Sequence, residues 1–162
     1  MSAHELSQGQ SDEWYTPPEV FDALNLRFDV DVASPGSHIT PWVPAGSVIT
    51  ARSLDVKWSG RVWMNPPFGG RNGYQCWAEK FVQHGHGVAL SPDRTSAPWW
   101  QWVAARVDAV LFWHEKIKFI KPDGTRGKQP GTGTTLFAIG DDCVDALKRC
   151  PGVFVHRPVA IP

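Results

Sequence analysis

The chain has little cysteine. Its three, Cys76, Cys143 and Cys150, are odd in number and scattered, which excludes a disulfide-built scaffold, and no pair has zinc-site spacing. No apolar run approaches the ~20 residues of a membrane span, and residues 1–13 lack the apolar core of a signal peptide. Net charge is lacking too. A formal value of +0 argues against indiscriminate adhesion to polyanions, but leaves room for a local basic surface. The expectation is a reduced, cytoplasmic protein with no metal, in which His84 and His86 are loop residues. What is present is apolar and aromatic mass. An apolar fraction of 42% and nine tryptophans in 162 residues suit a folded chain with one full core.

The charges are unevenly placed. Residues 1–31 carry seven acids against Arg27, whereas residues 116–128 carry Lys116, Lys118, Lys121, Arg126 and Lys128 against Asp123. The second cluster suits a phosphate backbone, or equally a solvated loop.

Residues 1–12 are polar and read as a mobile tail, leaving 13–162 as a single domain without a separate target-recognition domain. Thr16-Pro17-Pro18-Glu19 reads as a helix entry, with Thr16 as cap and Pro17 as first helical residue. Phe28 to Ala33 reads as a buried strand with its acids, Asp29 and Asp31, toward its end. Further strands are expected over 60–64, 87–92, 108–113 and 153–156, and helices over 74–84, 98–107 and 141–150. Residues 116–120 and 134–139 flank a Gly/Pro/Lys-rich loop and read as a hairpin or as neighbouring edge strands. Strands alternating with helices predict a mainly parallel sheet with helices on both faces. Ligands of such sheets bind at the carboxyl ends of strands, where Asp31 and Asn65 would both sit.

One corner carries most of the chemistry. Val62-Trp63-Met64 runs into Asn65-Pro66-Pro67-Phe68, where two prolines forbid continuation of the strand. The corner offers the Asn65 amide, the Pro66 carbonyl and the Phe68 ring. Two acceptors beside an aromatic face suit a planar base with an exocyclic amine. An ordinary loop signal would look the same over four residues.

The order of motifs narrows the choice. Tyr15-Thr16-Pro17-Pro18, Phe28 to Ala33, Asn65 to Phe68, and Leu90-Ser91-Pro92-Asp93-Arg94-Thr95 with Trp99-Trp100 follow one another. The series resembles the small phage-type DNA N6-adenine methyltransferases, from about Trp14 to Gly140. The resemblance implies a Rossmann-like methyltransferase fold with an antiparallel last hairpin, S-adenosylmethionine as donor, adenine in DNA as acceptor, and a phage or prophage protein in a bacterial host, such as one of a restriction-modification pair. It places Asn65, Pro66, Pro67 and Phe68 at the catalytic corner. It places Thr16, Pro17, Asp31 and Asp55 beside the cofactor, with Trp14 and Tyr15 available to a sulfonium. Arg71, Arg94, Lys121, Arg126 and Lys128 are the DNA-binding candidates. Two departures stand out. Ala33-Ser34-Pro35-Gly36 replaces the usual Gly-rich turn, and no second strand ending in a ribose-binding acid is visible. An amino-methyltransferase acting on RNA or protein glutamine, or a non-catalytic nucleic-acid-binding protein, would use the same framework.

Overall fold

A computed structural model of the chain describes residues 14–68, 73–128 and 130–156. The expected tail, 1–12, and Arg71 lie outside them. The elements in chain order are α1 (Pro18–Leu24), β1 (Phe28–Asp31), β2 (Ala45–Val48), a 3-10 turn (Ser53–Asp55), β3 (Val62–Met64), α2 (Gln75–His84), β4 (Gly87–Pro92), α3 (Pro98–Ala104), β5 (Ala109–Trp113), β6 (Thr134–Ile139), α4 (Asp141–Arg149) and β7 (Gly152–His156).

The strands form one sheet in the order β2-β1-β3-β4-β6-β5-β7. The expectation of a mainly parallel sheet holds only for its first four strands. The pairs β1–β2, β1–β3 and β3–β4 are parallel, whereas β4–β6, β5–β6 and β5–β7 are antiparallel. The cause is the insertion of β6 between β4 and β5, which replaces one parallel neighbour pair with two antiparallel ones. The reading of 116–120 and 134–139 as a hairpin or as neighbouring edge strands also needs correcting, because 134–139 lies inside the sheet between β4 and β5. The turn instead closes earlier, at Lys121-Pro122-Asp123-Gly124-Thr125. Gly124 N donates to Lys121 O at 2.9 Å, Lys121 N donates to Thr125 O at 2.8 Å, and Gly124 takes φ 85°. Pro presets the turn, and Gly supplies the left-handed residue that a three-residue hairpin loop requires.

Two cores sandwich the sheet. Trp63, Val88, Leu90, Ala109, Leu111, Leu136 and Ala138 face α1 and α4. Their neighbours Val62, Met64, Ala89, Val110 and Phe137 face α2 and α3. The alternation is the period-2 pleat with both faces buried, so a one-residue slip would exchange the two cores. The close approach of β4 to β3 depends on Gly87, at φ 153°. A Cβ there would lie 2.3 Å from the Val62 carbonyl oxygen.

An ionic cluster ties the end of the sheet that carries the amino ends of β3 and β4 to α4. Asp142 accepts from Arg61 Nη1 at 2.7 Å and lies 3.0 Å from His86 Nε2. Burial pushes the Asp142 carboxyl up, but the hydrogen bonds from Arg61 and His86 outweigh it and hold the pKa at about 2. A folded-state value below the ordinary 3.8 contributes stability above about pH 4 that is lost as pH falls toward 2. Asp142→Asn should therefore melt at a lower temperature than the parent at neutral pH. The gap should close on acidification, and a gap that is independent of pH in thermal melts would overturn this assignment.

Among the described residues no helix is long and apolar enough to cross a membrane.

Candidate active site

The sheet's crossover directions reverse between β1 and β3. From β1 the chain moves outward to β2, and from β3 it moves the other way to β4. The carboxyl ends of β1 and β3 therefore flank a crevice, the usual ligand position in such sheets. A cleft of about 1360 Å³ opens there. Trp14, Tyr15, Thr16, Asp31, Asp55, Asn65, Pro66, Pro67, Phe68, Arg94, Lys121 and Lys128 all line it. Residues as far apart in sequence as Trp14 and Lys128 thus meet in one cavity.

Asn65 is the first residue past β3, where Pro66 and Pro67 stop the ladder. Its Nδ2 donates to the Thr16 hydroxyl oxygen at 2.9 Å and to the Trp14 carbonyl at 3.2 Å. A backbone carbonyl can only accept, so the NH2 end must face that segment and Oδ1 must point elsewhere. Among the described residues no hydrogen bond engages Oδ1 or the Pro66 carbonyl. The Phe68 ring stands 5.8 Å from Tyr74, and Tyr74 lies 4.8 Å from Trp99. Tyr74 is itself fixed by its hydroxyl, which donates to Leu90 O at 3.0 Å.

Asp31 ends β1 with 4% of its surface exposed. Burial pushes its carboxyl up to about 6, with only partial relief from the Ala33 N–H at 3.2 Å. None of the described ion pairs includes it. Asp31 borders the cleft, where a positive charge would offset the cost of burying its carboxylate. In place of a Gly-rich turn, Asp31 accepts from Ala33 N, and Ser34 Oγ accepts from Gly36 N at 3.0 Å. Asp55 sits on the cleft rim, exposed and 3.3 Å from Arg52. Lys80 holds its 3-10 turn by donating to the carbonyls of Ser53, Leu54 and Val56.

Four expectations fall differently. Pro17, not Thr16, caps α1, and Pro18 is its first residue. The Thr16 hydroxyl is freed from capping and serves Asn65. Pro17 is not among the cleft-lining residues. Arg126 points away from the cleft, into a bidentate pair with Glu19 at 2.6 and 3.0 Å. Asp29, one of the strand acids, accepts from Arg61 N at 2.7 Å, a bond between neighbouring strand starts. Sequence reasoning missed Trp42, whose indole donates to Thr16 O at 2.8 Å, and Trp63, which lines the cleft from β3. Neither carries a local signal, because an isolated tryptophan reads only as core.

One group of metal-ligand types exists among the described residues, His86, Asp142 and Cys143. It lies at the opposite end of β4 from the cleft, and the Arg61 guanidinium already occupies its carboxylate.

A model of the DNA N-6-adenine-methyltransferase (Dam) family matches residues 3–143. The chain belongs to that family. No curated protein and no solved structure matches it. Family membership makes it a methyltransferase with adenine N6 of DNA as the acceptor class, and the matched span contains every cleft-lining residue named above.

Proposed function

We propose that the cleft binds S-adenosylmethionine against Asp31 and methylates N6 of an adenine turned out of DNA onto the Asn65-Pro66-Pro67-Phe68 corner. The orientation of the Asn65 amide carries this reading. With its NH2 held by Thr16 and Trp14, its oxygen is committed as an acceptor beside a second acceptor, the Pro66 carbonyl. The buried Asp31 carboxylate and the Trp14 ring, both on the cleft, fit a cationic cofactor. When bound, that cofactor supplies an electrophilic methyl group.

The chain's own residues do the rest. Phe68 stacks on the base, which must leave the duplex to reach the pocket. Asn65 Oδ1 and the Pro66 carbonyl accept the two N6 hydrogens. This draws them out of the ring plane and turns the nitrogen lone pair toward the methyl carbon. The methyl–sulfur bond would break as the methyl–nitrogen bond forms, leaving a neutral thioether, and N6 would then shed one proton to solvent, so no general base is needed beforehand. Orientation accounts for most of the acceleration.

Lys121, Lys128 and Arg94 line the cleft and offer cations to a phosphate backbone that enters it. Lys121→Ala with Lys128→Ala should weaken DNA binding and reduce the log–log salt slope by about two units, roughly one per phosphate contact. Fluorescence titrations over a salt series check this, and an unchanged slope removes both lysines from the interface. Arg71, outside the described residues, is proposed for the same interface. Sequence choice would come from 69–75 and 121–133, which implies a short or relaxed target.

Tritiated methyl transfer to DNA, RNA and protein, followed by base-resolved mapping of N6-methyladenine, tests the whole reading. Label in RNA or glutamine and none in DNA would replace the substrate. Cofactor binding without transfer would make the chain a non-catalytic binder.

A further inference from the structure

Asn65 owes its orientation to two groups on one short segment, the Trp14 carbonyl and the Thr16 hydroxyl. That segment precedes α1 and belongs to no helix or extended strand. Its hold comes from elsewhere. Tyr15 N donates to Ile120 O at 2.8 Å, and Ile120 N donates back to Tyr15 O at 2.9 Å, an antiparallel bridge to the hairpin that turns at Pro122-Asp123-Gly124. Ile120 bridges also to Arg126, so the hairpin's two arms and the 14–16 segment lie side by side as a small ribbon. Gly127 N donates to Phe119 O at 2.7 Å and is packed under the Trp14 ring. A Cβ at Gly127 would stand 2.5 Å from Trp14 Cζ3 and 3.2 Å from the Phe119 carbonyl oxygen. Since φ at Gly127 is not in the left-handed region, glycine is required there by the ring and not by the turn.

Arg126 completes the attachment. Its guanidinium reaches back to Glu19 in the first turn of α1 with two bonds and also donates to Lys118 O. The side-chain hydrogen bond from Arg126 holds the Glu19 carboxyl below its ordinary range despite partial burial. The pair therefore joins the hairpin to the helix that begins two residues after Thr16.

The geometry points to the 118–127 hairpin as a positioning element for Asn65, with Gly127 as the seat of Trp14 and Arg126–Glu19 as the latch. This rests on the catalytic reading of Asn65. The same hairpin carries Lys121 and the following Lys128 on the cleft rim. Arg126 and Gly127 are positioning residues, and neither lines the cleft.

Gly127→Ala, Arg126→Glu and the charge swap E19R/R126E test this. At saturating DNA and cofactor, Gly127→Ala and Arg126→Glu should lower the single-turnover rate on the order of tenfold to a hundredfold, the cost of a small misplacement at the reacting atoms. The affinity for DNA and its salt slope should stay close to the parent's, and the swap should restore most of the rate. The side-chain amide signals of Asn65, assigned by their loss in Asn65→Asp, should shift in both single variants and return in the swap, with no substrate present. Unmoved amide signals overturn the inference whatever happens to methyl transfer. Rate losses matched by equal losses of DNA affinity overturn it too, and would make the hairpin a DNA contact alone. If Gly127→Ala does not fold, Arg126→Glu and its swap decide the question by themselves. A parent that transfers no methyl to DNA removes the catalytic reading, while the amide signals still decide whether the hairpin sets the Asn65 side chain.

Discussion

Asn65→Ala is expected to lower methyl transfer by about a thousandfold, the upper end of what one preorganised hydrogen-bonding group supplies. The side chain is half-buried and its NH2 is already committed, to the Thr16 hydroxyl at 2.9 Å and the Trp14 carbonyl at 3.2 Å. Nothing has to reorganise for Oδ1 to accept from N6, and that preorganisation is lost with the amide. Thr16 and Trp14 lose a partner, but the site borders an open cleft where water can replace it, so the fold should survive. The loss should appear in the single-turnover rate, with cofactor and DNA affinities little changed, because the interaction matters at the reacting nitrogen. Asn65→Asp should fall between parent and Ala. It keeps an acceptor but loses both donors and sets a carboxylate against the Trp14 carbonyl. An Ala variant within tenfold of the parent would mean that the corner does not hold N6.

What was legible in the sequence has a common physical cause. β3, β4 and β5 are apolar runs stopped by Pro or followed by polar turns, and buried strands of that kind announce themselves locally. β2 did not. Ala45-Gly46-Ser47-Val48 has low strand preference, and it is extended because β1 pairs with it from Phe28↔Ala45 to Asp31↔Val48. The misplaced hairpin has a similar origin. Residues 134–139 are as apolar as an edge strand can be, yet Leu136, Phe137 and Ala138 are fully buried because β6 lies between two neighbours. No pattern within one strand reveals which strands will flank it.

The site divides the same way. Asp31 and Asn65 could be placed together because both end parallel strands at the reversal of crossover direction, a rule that needs only strand order. Arg126 could not be distinguished from Lys121 and Lys128 by composition. All three sit in one basic stretch, but the partner that takes Arg126 out of the cleft is Glu19, 107 residues away. Trp42 and Gly127 were silent for the same reason, since their roles exist only across long-range contacts with Thr16 and Trp14.

Asp31→Asn should produce two effects of opposite sign. The parent carboxyl has a folded-state pKa of about 6 against an ordinary 3.8, because burial penalises the anion. Below about pH 4 the group is neutral in folded and unfolded chains alike and costs nothing. As pH rises from about 4 to 6 the unfolded chain ionises first, and stability declines. Above 6 the cost is complete, about 3 kcal/mol for a carboxyl raised from 3.8 to about 6. The Asn variant without cofactor should therefore be more stable than the parent at pH 7.5 and nearly equal to it at pH 4. Cofactor binding should move the other way. A cationic ligand stabilises the anion, so affinity in the parent should fall as pH drops below about 6. The variant should bind at least roughly tenfold more weakly at pH 7.5, a loss of about 1.4 kcal/mol, with little dependence on pH. Thermal melts without cofactor and calorimetric titrations between pH 5 and 7.5 measure both. If the parent's affinity is flat across that range and equal to the variant's, Asp31 does not face the cofactor's charge. A more stable variant that binds weakly, by contrast, would identify Asp31 as a residue whose buried charge costs stability and is retained for the ligand it receives.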